Sequence, residues 1–244
     1  EMRHEAFKND GATPGPRDRD VNGVWDTTRY TNWEKTLIGG TAYQTDLHAT
    51  LSGGNHQTQF VFGSNFRQET TVFGHNFKDQ KESGYINLNH HSANDKLSVR
   101  LSATYNAENN SLPNYDVTPQ AFRLPPDAPA IFDSSGNLNW EKGTFNNPFS
   151  LFKRSYQAKT ENFISNLLLE YQIVKGLHLI ANLGCSKMEV SEISSDPTTS
   201  INPAYGFTSG FSYFSDQTLL SWIVEPQLEY VSACNAGTFK ILVG

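Results

Sequence analysis

Long apolar runs are missing from this chain. No stretch approaches the ~18 consecutive apolar residues that a membrane-spanning helix needs, and mean hydropathy is low at -0.52. Both speak against a helical membrane protein. An excess of basic charge is missing too: 19 Lys and Arg stand against 25 Asp and Glu, for a net charge of -6. Without a basic stripe there is no electrostatic footprint for nucleic acid. Cysteine is scarce, with only Cys185 and Cys234 among 244 residues, and their spacing is not that of a metal site. No charged-then-apolar leader opens the chain at Glu1, so the reading expects either a mature start or a fragment.

Aromatic residues, by contrast, are plentiful at 12%, with 16 Phe and 10 Tyr, although only 37% of the chain is hydrophobic. That combination suits an all-β design in which apolar residues occupy every second position. The clearest case is the stretch 97–107, where Leu97, Val99, Leu101, Ala103, Tyr105 and Ala107 share one parity. Ser98, Arg100, Ser102, Thr104 and Asn106 share the other. Successive side chains of a strand point to opposite faces, so one face is apolar and the other polar. Ile86 and Leu88 repeat the pattern upstream, and the turn residues 92–96 between them predict a hairpin.

The same alternation predicts further strands over 43–51, about 59–67, 162–173, 177–186, 220–230 and 238–244. The connections between successive strands then alternate short and long, the longest irregular stretches running near 108–159 and 187–216. Tight periplasmic turns and large extracellular loops have this rhythm in outer-membrane barrels. With the short turns periplasmic, Tyr43, Phe66, Tyr105, Phe163 and Trp222 fall at the extracellular ends of their strands, and Phe60, Tyr171 and Tyr230 at the periplasmic ends. Two aromatic girdles are what a barrel in lipid should show. The expected fold is therefore all-β, an antiparallel up-and-down transmembrane β-barrel segment of about eight strands. Residues 1–40 read as an extracellular loop region, with a short helix over 31–38 capped by Thr31 or Asn32, and 41–244 as a partial barrel. Both ends look cut, as in an arc of a larger barrel. Cys185 and Cys234 lie at different heights, roughly 26 Å of strand apart, beyond disulfide reach, and are expected to be free thiols.

Several phrases resemble the SusC/RagA-like family of TonB-linked outer-membrane transporters of Bacteroidota. They are Thr31-Asn32-Trp33-Glu34-Lys35 leading into LHATLSGG at 47–54, then Thr58-Gln59-Phe60; Leu124-Pro125-Pro126-Asp127-Ala128-Pro129 with Gly136-Asn137-Leu138-Asn139-Trp140; and Ser221-Trp222-Ile223-Val224-Glu225-Pro226-Gln227-Leu228. The resemblance implies a 22-stranded barrel, of which this chain would be a middle portion. It also implies an N-terminal plug that blocks the lumen, a segment that contacts the TonB complex, a SusD-like surface lipoprotein as lid, and import of nutrients, oligosaccharides first and peptides second. Two other readings are a small autonomous outer-membrane barrel or adhesin, and a soluble all-β glycan-binding module. The soluble module would bury the apolar strand faces in a sandwich core.

No catalytic constellation emerges, and no cofactor is expected. His90 and His91 are adjacent on a strand and face opposite sides. Glu170, Glu225 and Glu229 read as hydrophilic lining of the lumen. Asp18, Asp20 and Asn22 match the first half of a calcium loop, but the twelfth position holds Arg29 where a bidentate Glu belongs. An Asx-rich turn accounts for them better. The remaining candidates are the loop aromatics Tyr115, Phe122 and Trp140, in a stretch too long to be a plain connection. They are placed to meet ligand or lid, against the alternative that they pack the loop.

Overall fold

Alternating stretches become strands when each can pair with the next through a turn, and here they do so in sequence order. The structure, a computed structural model, describes residues 1–74, 77–235 and 237–244. The expected link over 68–79 and turn over 232–237 include residues 75, 76 and 236, which lie outside the described residues. Among those described, β1 (Gln44–Gly54), β2 (Thr58–Thr70), β3 (Lys78–His91), β4 (Leu97–Asn110), β5 (Ser155–Val174), β6 (Leu177–Asp196), β7 (Phe211–Cys234) and β8 (Gly237–Val243) form one antiparallel sheet in the order β1 to β8. Every neighbour in space is a neighbour in sequence, which is the up-and-down topology expected.

The register confirms the two faces. Leu97 pairs with Tyr171, Leu101 with Leu167 and Tyr105 with Phe163; Tyr171 pairs onward with Leu179 and Leu167 with Leu183. These residues form one apolar face across strands. The apolar face lacks a protein core beneath it: Leu47, Leu51, Phe62, Trp222 and Val224 are all about half or more exposed. The buried hydrophobic residues among those described lie elsewhere, at Trp33, Leu37, Val117, Ala121, Ala128, Leu138 and Phe145. A soluble sandwich would put its core between sheet faces. This sheet leaves its largest apolar surface uncovered, as a face meant for lipid must.

The aromatic rows are staggered. On the ladder, Phe66 lies level with Ala107, Tyr105 with Phe163, and Trp222 with Cys185, one step lower each time across the sheet. A membrane plane cuts tilted strands in this way. Phe163 to Tyr171 and Trp222 to Tyr230 each span about 26 Å of strand at ~3.3 Å per residue, which at the ~35–45° tilt of barrel strands rises about 19–22 Å, most of the ~25 Å apolar band of such barrels.

Three strands run further than the alternation indicated. β5 begins at Ser155 and not near 162, β6 continues to Asp196, and β7 starts at Phe211 and not 220. Beyond the Tyr105–Phe163 row the formerly apolar face carries Glu161, Lys159, Glu189 and Ser191. Hydrogen bonding continues there, but the alternation of apolar and polar residues does not. The long connections shrink accordingly, to 111–154 and 197–210.

Residues 1–40 are more ordered than a loop. α1 (Met2–Asn9) was not anticipated; Arg3 on it pairs with Asp20 at 2.7 Å and Asp18 at 2.6 Å. α2 (Trp33–Ile38) is the expected helix, with Asn32 Oδ1 accepting from the Lys35 N–H at 2.9 Å. The 111–154 connection carries α3 (Thr118–Arg123) and α4 (Ser150–Lys153). α2 and α3 bury Trp33, Leu37, Val117 and Ala121 around Phe145, and Trp33 Nε1 donates to Pro125 O at 2.9 Å. This lobe sits at the long-connection end of the sheet.

One close approach fixes the other face. Gly63 on β2 is opposite Tyr85 on β3, and the Tyr85 ring lies over it where a side chain would otherwise stand.

Candidate functional site

The 111–154 connection returns beside the 197–210 connection, and between them lies a cavity of about 370 Å³. Asn147, buried at 1% exposure, organises the first wall. Its Nδ2 donates to Ile131 O at 2.6 Å and Asn139 O at 3.0 Å, while its Oδ1 accepts from the Phe149 N–H at 3.0 Å. Asn202, 2% exposed, organises the second. Its Oδ1 accepts from the Ala204 N–H at 3.0 Å, capping a short 3-10 turn Pro203–Tyr205, and its Nδ2 donates to Asn146 Oδ1 at 3.1 Å across the gap. The Tyr205 hydroxyl donates to the same Asn146 oxygen at 3.0 Å. Buried amides satisfied on both sides fix the shape of an otherwise irregular region.

Among the described residues, the charged side chains that line the cavity are one opposite pair. Arg154 Nη1 is 3.3 Å from Asp196 Oδ2, each side chain about one-fifth exposed, and the guanidinium stacks 4.7 Å from the centre of the Tyr115 ring. The pair leaves the cavity electrically neutral. Aromatic rings close the remaining sides: Trp140, Tyr205, Phe207 and Phe211, with Phe207 and Phe211 edge to face at 5.8 Å.

The three candidate aromatics separate here. Trp140 lines the cavity; Tyr115 reaches it only through the arginine stacked on it; Phe122, 63% exposed on α3, is not among its lining residues. Asn146, Asn202, Tyr205 and Phe207 were not singled out in the sequence. The available hint was the density of Asn and aromatic residues in both long connections, and it carried no spacing.

The other candidates are engaged locally. Asp18 and Asp20, the would-be calcium ligands, hold the Arg3 guanidinium. Among the described residues no group of three or more His, Cys, Asp or Glu is placed to hold a metal ion. Glu225 accepts from Asn182 at 3.0 Å, Glu229 pairs with Lys240 at 2.6 Å, and Glu170 lies 3.3 Å from His178. The three carboxylates thus have separate partners and do not act together. Glu170 and His178 do share a second cavity of about 400 Å³ with His91 and Arg100, on the polar face near the short turns. His90, across the strand from this cavity, meets Thr58 Oγ1 at 2.8 Å. Cys185 and Cys234 are both free thiols.

No family model matches the chain, and no curated protein matches it. Solved structures do. A chain of the RagAB peptide importer in the closed-closed state superposes with a TM-score of 0.61 at 18% identity, covering 86% of this chain and 24% of that one. The RagAB peptide transporter gives 0.60 at 18%, covering 87% and 25%, and the importer's open-open state gives 0.61 at 18%, covering 86% and 24%. The chain therefore spans about a quarter of the length of these neighbours. Over the superposed part, the chain has the fold of a portion of these chains.

Proposed function

We propose that this chain is a lipid-facing arc of a TonB-linked outer-membrane transporter, of the SusC/RagA-like kind, that imports nutrients and catalyses no reaction. The observation that carries this reading is the uncovered apolar sheet face combined with a hydrophobic core confined to the loop lobe. The likeness to importer barrels supports it. In this reading the short turns are periplasmic, and residues 1–40 with the 111–154 and 197–210 connections are extracellular. The polar face, with Arg100, Asn166, Asn182 and Glu225, lines the lumen. A SusD-like surface lipoprotein covers the extracellular side, and the TonB complex acts through a plug region that is not among these 244 residues. Trp140, Tyr115 and Phe122 are the aromatic side chains that meet ligand or lid.

Oligosaccharides are the first substrate class, because aromatic and amide groups crowd the extracellular connections. Peptides are the second, favoured by what the structural neighbours carry. The test is uptake by cells that make the full-length protein, measured with labelled oligosaccharides and labelled oligopeptides, with and without a protonophore. Accumulation of one class that depends on the protein and stops with the protonophore is the expected result. Uptake unaffected by de-energisation, or absent for both classes, overturns the reading.

A further inference from the structure

We propose that α1 is a releasable strap on the lobe, latched by the Arg3 guanidinium on Asp18 and Asp20 and opened by rising ionic strength. The inference goes beyond the transporter reading and does not depend on it. It also gives a role to the motif Asp18-Arg19-Asp20-Val21-Asn22-Gly23, whose two carboxylates converge on a cation that the chain itself supplies.

The seat of the latch is fixed, and the strap is not. Within the seat, the Gly15 N–H donates to Asp18 Oδ2 at 2.8 Å and Asn22 Nδ2 donates to Gly15 O at 2.9 Å. The same turn is tied to the 111–154 connection, where Arg19 Nη1 donates to Thr144 O and Trp25 Nε1 to Thr144 Oγ1 at 3.2 Å. α1, by contrast, has no buried residue among its eight. A helix of that length is marginal in water on its own, so it needs an outside hold. Among the described residues, the hydrogen bonds and ion pairs that tie 2–9 to the chain beyond Ala12 all come from Arg3. Its Nη1 donates to both Asp20 oxygens, at 2.7 and 2.8 Å, and its Nη2 to Asp18 Oδ1 at 2.6 Å. Asp20 is buried, but the Arg3 side chain is half exposed, so dissolved ions reach the pair. Salt shortens the reach of such an attraction from about 10 Å at 0.1 M to about 3 Å at 1 M. The pivot is Gly11, at φ 60° with nothing near the place a Cβ would take; the backbone turns there in a region that favours glycine. One charged contact at one end and a free pivot at the other make the element a strap.

The test is hydrogen exchange of the full-length protein in detergent, read over residues 2–14 at about 0.05 M and about 0.5 M sodium chloride. Protection of 2–14 at low salt that falls at high salt is the expected result for the unaltered protein. Arg3→Gln should exchange about tenfold faster at low salt, the scale of hydrogen bonds to a charged group, and should lose the salt response. Arg3→Lys keeps the charge without the planar fork and should fall between the two, still responding to salt. Lys8→Gln, at a cation of the same helix with no ion-pair partner among the described residues, is the control and should match the unaltered protein. Exchange of 33–38 and 117–123 should stay the same throughout. Absence of protection over 2–14 in the unaltered protein, or a salt response that Arg3→Gln leaves in place, overturns the latch. Acceleration by Arg3→Gln that spreads to 33–38 and 117–123 overturns the strap as a separable element. Both results leave the transporter reading intact, since uptake tests that separately.

Discussion

Truncating Phe145 tests whether residues 1–40 and the 111–154 connection form one folded lobe. The Phe145 ring is 1% exposed and meets Trp25 edge-on at 6.0 Å and Trp33 at 6.2 Å. Val117 and Ala121 from α3 complete the cluster. Phe145→Ala removes that ring from a site that cannot collapse fully, at a cost of about 3–5 kcal/mol. Of this, each aromatic pair accounts for about 0.5–1.5 kcal/mol. The ladders of β4 and β5 do not depend on the ring, so the loss should appear as local opening. Hydrogen exchange of the full-length protein reads it directly. Amides of 33–38 and 117–123 should exchange faster by about two to four orders of magnitude, and those of β4 and β5 should not change. Phe145→Leu keeps most of the volume and should cost less than about 1.5 kcal/mol. Unchanged exchange at 33–38 would refute the packing of α2 onto this connection. Equal acceleration in β4 and β5 would refute the lobe as a separate unit.

Other consequences follow from single sites. Gly63→Val places a side chain where the Tyr85 ring lies, so the ring must swing away; a loss of about 1–3 kcal/mol should show as a lower unfolding midpoint, and Tyr85→Ala in the same background should recover part of it. Burial, with a smaller push from the charge of Asp20, holds the Asp127 carboxyl above its ordinary pKa. A raised acid pKa means the charged form costs stability above that pKa, and the cost vanishes as the pH falls through it. Asp127→Asn should therefore stabilise the lobe at neutral pH by an amount that shrinks to nothing on acidification; a gain independent of pH would contradict this. Cys234, exposed beside a short turn, should react with a water-soluble maleimide only once the periplasm is opened. Cys185, paired with Trp222 on the apolar face, should resist it while the protein is in lipid, and labelling of Cys234 in intact cells would reverse the proposed orientation.

The sheet was legible because one apolar and one polar face write a period of two into the chain. Leu97 to Ala107 shows this plainly, and the girdle positions Tyr105, Phe163, Tyr171 and Tyr230 could be assigned before any pairing was known. The signal stops where that physical contrast stops. Above Phe163 both faces of β5 are polar, so its first residues, from Ser155, looked like loop although their ladder is intact. α1 was missed because its eight residues bury nothing and carry no apolar stripe. The phrases at 31–35 and 124–129 stood out separately, and the structure joins them: Thr31 N donates to Pro126 O at 2.7 Å and Trp33 Nε1 to Pro125 O. The cavity was the least legible part. Asn146 and Asn202 meet only because two connections far apart in sequence descend to neighbouring strand ends, and nothing local in either marks the meeting.

The central claim, that the apolar face of this sheet meets lipid while the other face meets water, is tested most directly by spin labels placed singly along β4 and β5 of the full-length protein in a bilayer. Collision with dissolved oxygen reports lipid, and collision with a water-soluble nickel complex reports water. The account predicts a period of two: labels at Leu101, Leu167 and Leu169 accessible to oxygen, and labels at Ser102, Asn166 and Glu170 accessible to nickel. Labels at Leu101 and Leu167 shielded from both reagents, as in a packed protein core, would contradict it.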